Sequence, residues 1–345
     1  TMAARKLRIK LISIVVCVLG GLALALPASP ADTEPTISWQ IETVDGDVAD
    51  VGIFTPLVIN ASDEPVISYY DTTHSDLKVA TYDGSAWQFE IPDSQAPNLA
   101  SGEGTALALN QKGYPIVAYH NATTYTLQVA ANDGSNWDLT QVAGDAGMYP
   151  DLAIDSAWHP HISHYRMTDQ DLIYSYYSKG GWTSELVDGA DNVGQYTSIV
   201  LDSGDTPHIA YYDVSEADLC YAVPGKAGWT ITTVDSHGDV GKGASLVLDS
   251  SGNPRISYVD ATQGALKLAS LVGKDWVTAT IESAHETIGD YTALMLDSKD
   301  QPHIAYEAIN KGASSLRYMY RHGATWVKST VDATGSVGRY QIGRA

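Results

Sequence analysis

The stretch GQYTSIVLDSGDTPHIAYYDVSEADLCYAVPGKAGWTITTVD, residues 194–235, decides the fold. It contains four short runs of alternating or β-branched residues, at 196–201, 208–212, 219–223 and 229–234. Between them stand Asp-Ser-Gly-Asp-Thr-Pro, an Asp-rich connector and Pro-Gly-Lys-Ala-Gly. Each of these is turn chemistry: Asp and Ser fold back on their own backbone, Gly allows positive φ, and Pro presets its own. The stretch predicts a four-stranded antiparallel meander.

Working outward, the same unit recurs through most of the chain. Tryptophans stand at Trp39, Trp87, Trp137, Trp182, Trp229, Trp276 and Trp326, every 45 to 50 residues. The second run returns as PVISYYD from Pro65, PIVAYHN from Pro115, PHISHYR from Pro160, PHIAYYD from Pro207, PRISYVD from Pro254 and PHIAYEA from Pro302. A period in the upper forties that holds four strands is that of a β-propeller blade. In the second run Ile67, Val117, Ile162, Ile209, Ile256 and Ile304 face one way. Ser68, Ala118, Ser163, Ala210, Ser257 and Ala305 face the other, where a small side chain predicts a close-packed neighbouring sheet.

The expected fold is therefore all-β, a propeller of four-stranded antiparallel blades over 39–345. Complete repeats start near 52, 102, 147, 194, 241 and 289. Residues 39–45 match a fourth strand with no first three ahead of it, and 338–345 open like a first strand, with Gly338-Arg339-Tyr340 echoing Gly194-Gln195-Tyr196. A ring can close by building one blade from both termini, which removes open sheet edges. This predicts six complete blades plus a split seventh, cut short by about half a repeat. A six-bladed ring with a loose tail is the alternative.

Residues 1–31 read as an export signal: Arg5, Lys6, Arg8 and Lys10 precede an apolar run from Leu11 to Leu26, and small residues follow up to Ala31. Retention of that run as a membrane anchor is the other reading. Residues 32–38 form a short linker. Removing 1–31 leaves 16 basic against 41 acidic residues, a net charge of −25. So acidic a chain repels phosphate backbones and anionic lipid heads, which argues against nucleic-acid or membrane partners for the processed protein. Only Cys220 remains after processing, so no intrachain disulfide is available. The expected location is secreted, periplasmic or on the cell surface.

The motifs GxY…LxLD, PxIxYYD, LxYA and W…VD, seen at Gly194, Pro207, Leu219 and Trp229, resemble secreted bacterial propeller repeats of the BNR/sialidase-like and propeller-lectin kind. The resemblance implies architecture more than activity, since propellers host many functions. The sialidase Asp-box pattern SxDxGxTW is met only by Asp83-Gly84-Ser85-Ala86-Trp87 and Asp133-Gly134-Ser135-Asn136-Trp137, each one residue short. Sialidases also gather three arginines on a carboxylate. Arg255, Arg317 and Arg321 lie within or after strands, not at a shared rim. Some propeller polysaccharide lyases use a His/Tyr pair, for which the candidates are His164 as base with Tyr165 and Arg166 stabilising charge. His161, His208 and His303 repeat at one strand position, which argues for packing.

Two features point to ligands. Two residues into the first strands stand Phe54, Tyr149, Tyr196, Tyr291 and Tyr340, with Gly104 and Gly243 in the other units. First strands line a propeller's channel, so these aromatics are expected to ring its mouth beside acidic loops carrying Asp188 and Asp191. Aromatic faces next to carboxylates suit sugar rings, and a count of 21 Tyr against 2 Phe favours polar-tipped aromatics at wet surfaces. A purely structural plug is the competing expectation. Asp45, Asp47 and Asp50 are spaced for calcium, although no loop completes a DxDxDG pattern; no other cofactor is indicated. The residues point to an exported, non-enzymatic binder of glycan or of a protein surface. The alternatives are a polysaccharide lyase or glycoside hydrolase, and a structural spacer of a larger surface protein.

Overall fold

The structure is a computed structural model. It describes residues 13–14, 37–46, 51–94, 104–144, 147–283, 287–334 and 337. Nearly all of 1–31, together with Asp47, Asp50 and the partial repeat at 338–345 with Tyr340, lies outside the described residues.

Six antiparallel sheets follow one another along the chain, each a meander in sequence order. They are blade 1 (51–93), blade 2 (105–144), blade 3 (148–188), blade 4 (193–235), blade 5 (240–282) and blade 6 (287–332). Every second strand begins at its proline, as at Pro65–Asp71 and Pro207–Asp213, where a missing N–H costs the ladder least. The strands run longer than the alternating pattern alone suggests: in blade 4 they span Val193–Leu201, Pro207–Asp213, Asp218–Gly225 and Gly228–Asp235. The turn into each second strand is an Asx turn. Asp202 Oδ1 accepts the Gly204 and Thr206 N–H groups at 2.8 Å, and Asp249 and Asp297 do the same in their blades.

Packing between blades explains the small residues. Ser68, Ser163 and Ser257 are fully buried and meet the hydroxyls of Thr105, Thr197 and Thr292 on the next blade at 3.1, 2.9 and 2.7 Å. Serine therefore alternates with alanine because hydroxyl pairs join blades 1 to 2, 3 to 4 and 5 to 6. Gly194 is fixed by a similar approach: a Cβ there would sit 2.7 Å from that of Leu172, at a φ of 98°. The tryptophans complete the seams. Trp229 meets Tyr174 of the preceding blade edge-on at 5.3 Å, and Trp276 meets Tyr221 at 5.2 Å. Behind these tyrosines, Tyr174, Tyr221 and Tyr318 pair with Nδ1 of His161, His208 and His303.

Of a seventh blade only one short strand is evident among the described residues, Glu42–Thr43, which pairs antiparallel with Ser13–Ile14. Its neighbours define its place. Trp39 meets Tyr318 of blade 6 edge-on at 5.1 Å and its indole N–H donates to Ser329 at 2.7 Å. On the other side Asp45 accepts the Tyr69 hydroxyl at 2.7 Å and the Lys78 ammonium at 2.6 Å, both from blade 1. Asp235 makes the same two bonds to Tyr258 and Lys267 between blades 4 and 5. Glu42–Thr43 thus stands where a seventh blade would keep its outer strand. Consistent with a thinner flank there, Ala305 of blade 6 is half-buried, whereas Ala118 and Ala210 are wholly enclosed.

Candidate functional site

The site begins with an irregularity. Early in the first strands of blades 3, 4, 5 and 6 the pairing to the second strand slips, between Met148 and Asp151, Gln195 and Ser198, Lys242 and Ser245, and Ile288 and Thr292. In blade 1 the strand breaks into Val51–Ile53 and Leu57–Ile59. A bulge turns its extra residue out of the sheet. Phe54, Tyr149 and Tyr196 take left-handed conformations there, with φ of 53°, 50° and 52°. Bulky side chains seldom adopt such a backbone. In blade 5 the residue is Gly243, where a Cβ would lie 2.2 Å from the Asp290 carbonyl oxygen.

The re-aimed rings converge on the propeller axis. Tyr149 and Tyr196 lie 4.9 Å apart between centroids, and Tyr196 and Tyr291 lie 5.5 Å apart edge-on. With Phe54 they line an open recess of about 140 Å³, to which all six first strands contribute. Second-strand tyrosines buttress the cluster: Tyr165 stands 6.4 Å behind Tyr149, and Tyr212 stands 6.2 Å behind Tyr196. Their hydroxyls donate to Asn192 at 3.1 Å and Asp239 at 2.7 Å. Burial raises both phenols, so they stay protonated donors. From the next blade Thr105, Thr197 and Thr292 donate to the bulge carbonyls of Phe54, Tyr149 and Gly243 at 2.8–3.0 Å. These bonds hold the aromatic backbone in its unusual conformation.

Four of the five aromatics anticipated from sequence are thus brought to one recess. The acidic pair is not. Asp188 accepts the Tyr211 hydroxyl at 2.5 Å in the seam between blades 3 and 4, and Asp191 is an exposed turn residue with φ 61°. Neither lines the recess. The carboxylate that does is Asp151, whose Oδ2 accepts the Ile199 N–H at 2.6 Å. The signal for it was present: Asp151 stands where blades 4 and 5 put Ser198 and Ser245.

The histidine candidates sit elsewhere. His164 is fully buried inside blade 3, with Nε2 2.9 Å from the Ser175 hydroxyl. Burial, aided by the Arg166 charge, lowers it to about 3, so it is a neutral imidazole closed to solvent. Tyr165 faces the opposite side of the strand, and Arg166 is held by Asp169 at 2.8 Å and Asp171 at 2.5 Å. The three neighbours in sequence do not converge. For calcium, Asp45 is committed to Tyr69 and Lys78, and its proposed companions Asp47 and Asp50 lie outside the described residues. Cys220 is buried, and its thiol is pushed up to about 12, first by burial and then by Asp213. It is a packing residue.

No protein-family model matches the chain, and no curated protein matches it in sequence. Solved structures do share its architecture. An ulvan lyase, from a new family of polysaccharide lyase, superposes with a TM-score of 0.63 at 14% identity, covering 82% of this chain and 85% of the lyase. The Aleuria aurantia lectin, solved with a fucosyl-GlcNAc, gives 0.54 at 14% identity over 84% of this chain and 99% of the lectin. An arginine-to-alanine mutant of AofleA from Arthrobotrys oligospora gives 0.53 at 12% identity over 83% and 90%. At such identities the likeness is one of fold, and by fold this chain is a β-propeller of the kind that carries a lectin in one case and a polysaccharide lyase in another.

Proposed function

We propose that the chain is an exported, non-enzymatic β-propeller that binds an extracellular glycan in its axial recess. The observation that carries this reading is the convergence of Phe54, Tyr149, Tyr196 and Tyr291 on one open cavity. Three of the four stand in left-handed conformations that the framework must hold against their own preference. Folding alone does not require this, since Gly104 and Gly243 occupy the corresponding positions of blades 2 and 5. Flat rings, three of the four polar-tipped, at an open recess suit the C–H faces and hydroxyls of a sugar. Saccharide-directed proteins on the same fold support the reading without specifying it. A catalytic alternative centred on His164 would require opening the blade that encloses it.

A glycan array probed with the purified protein tests the proposal. Retention of a defined set of saccharides by the wild type, with loss of that set in Tyr196→Ala, is the expected result. An array on which nothing is retained removes the glycan reading.

A further inference from the structure

The seam between blades 5 and 6 departs from the repeat. In blades 3, 4 and 6 the second strand carries His161, His208 or His303, paired with the hydroxyl of Tyr174, Tyr221 or Tyr318 on the third strand. Blade 5 puts Arg255 at the histidine position and Leu268 at the tyrosine position. Ser270, directly opposite Arg255, replaces the large Tyr176 and Tyr320 that face His161 and His303. Where those rings are missing, an open cleft of about 500 Å³ lies between the third strand of blade 5 and the turn after the first strand of blade 6. It is separate from the axial recess, whose aromatics come from the starts of the first strands.

The cleft is cationic in an acidic chain. Its lining carries Arg255, Lys299 and Arg321 against one acid, Asp300, whereas the whole chain has a net charge of −21. Arg255 and Arg321 belong to different blades and meet here, while Arg317 bonds to Ser315 and Thr330 of its own blade. Asp300 is engaged by Ser250, whose N–H and hydroxyl donate to its two oxygens at 2.9 and 2.6 Å. Arg255 is pinned across the seam, with Nη1 donating to the Asp300 carbonyl at 2.9 Å and Nη2 lying 3.3 Å from Asp249. Arg321 donates from Nε to the Gly323 carbonyl at 3.1 Å, which leaves its two terminal nitrogens as a fork. Lys299 feels Asp297 electrostatically, yet among the described residues neither Lys299 nor Arg321 bonds to a carboxylate through its side chain. Folding does not demand a charge at this seam position, since Val66 and Ile116 occupy it, buried, in blades 1 and 2.

We propose that this cleft is a second binding site, which takes the carboxylate of an acidic saccharide, a uronate oligomer. The terminal edge of the Arg321 guanidinium matches a carboxylate with two parallel N–H···O bonds, and the Lys299 ammonium adds a point charge beside it. Ser270 and Gln301 offer neutral hydrogen-bonding groups to ring hydroxyls, and Leu268 offers an apolar contact to a ring face. The volume of about 500 Å³ falls within the range of small-molecule sites, roughly 300–1,000 Å³, and exceeds what a bare anion fills. The proposal does not rest on the axial reading, and the two sites fail separately.

The test is calorimetric titration at low and at high salt with three probes: trigalacturonate, its methyl ester and triglutamate. Trigalacturonate is expected to bind at least about tenfold tighter than either of the others, with an affinity that falls as salt is raised. Arg321→Gln combined with Lys299→Gln is expected to bring the acid and its ester within about threefold of each other. Both side chains are exposed, so the double variant should melt as the wild type does. Lys311→Gln, beyond the far end of the second strand of blade 6, removes a charge away from the cleft and should keep the preference. Equal binding of the ester overturns the charge inference, and equal binding of triglutamate overturns the choice of a saccharide. A preference that survives the double variant, or that Lys311→Gln abolishes as fully, removes the cleft as its source. Absence of trigalacturonate binding by the wild type overturns the proposal and leaves the axial reading to the array.

Discussion

Trp39 stands edge-on to Tyr318, 5.1 Å between ring centroids, just as Trp229 stands to Tyr174 and Trp276 to Tyr221. A residue near the start of the chain thereby packs on blade 6, while Asp45, six positions later, bonds to Tyr69 and Lys78 of blade 1. The short segment between them ties the last complete blade to the first. Replacing Trp39 by Ala removes the edge-on ring and the bond to Ser329, and a cost of about 2–4 kcal/mol is expected. Urea unfolding reads it as a lower midpoint, whereas an unchanged midpoint would mean that the segment adds nothing to closure.

The blade seams make a second prediction, which separates two positions that look alike in sequence. Ser257 is enclosed and bonded to Thr292 at 2.7 Å, so Ser257→Leu both overpacks the seam and strands a hydroxyl. A loss of about 2–4 kcal/mol follows. Ala305, on the thinner flank of blade 6, is half-buried, and Ala305→Leu is expected to cost less than about 1 kcal/mol. Thermal melts of the two variants side by side settle the ordering.

Acid should weaken the fold in a defined window. Burial holds His161, His208 and His303 below the ordinary imidazole value, against the pull of Asp155, Asp202 and Asp297, and takes His164 to about 3. Each such group binds its proton more readily when unfolded, so stability is complete above about pH 6.5 and falls as pH drops below it. For His164 alone the loss reaches about 2–3 kcal/mol by pH 4.5, at about 1.4 kcal/mol per pH unit. Urea midpoints measured from pH 7.5 to 4.5 should decline, and His164→Gln should flatten part of the decline. At lower pH a carboxylate adds to the loss. Burial favours the neutral form of Asp235, but its bonds from Lys267, Tyr258 and His237 outweigh that and hold it at about 2, so its contribution disappears as pH falls from about 4 towards 2.

The repeat was legible because each blade must satisfy the same local demands. Proline at strand entry, Asp in the turn before it and tryptophan on the fourth strand recur for reasons that lie inside one unit or at its immediate seam. The convergence of Tyr149, Tyr196 and Tyr291 was legible for the same cause, since equivalent positions of a ring must meet at its axis. What a single repeat does not reveal is how it is joined to the next. The alternation of Ser68, Ser163 and Ser257 with alanines becomes meaningful only beside Thr105, Thr197 and Thr292. Asp188 reads as a loop acid until Tyr211 is seen to occupy it. His164 stands beside Tyr165 and Arg166 in the polar run PHISHYR, yet its strand position turns it into the blade, away from both.

The aromatic recess makes its own prediction about stability and binding together. Tyr196 is partly exposed and holds a left-handed backbone, so Tyr196→Gly relieves strain while removing the ring. Its thermal stability is expected to stay within about 1 kcal/mol of the wild type, because lost ring contacts offset the relieved backbone. A collapse of the fold in this variant would assign the tyrosine to plugging the channel.

The measurement that tests the central claim most directly is a titration of the tightest array saccharide into wild type and Tyr196→Ala, with melting curves recorded for both. Binding that weakens at least tenfold in the variant while the fold persists is the predicted result. Equal binding by the two proteins would place the ligand away from the axial recess and contradict the account.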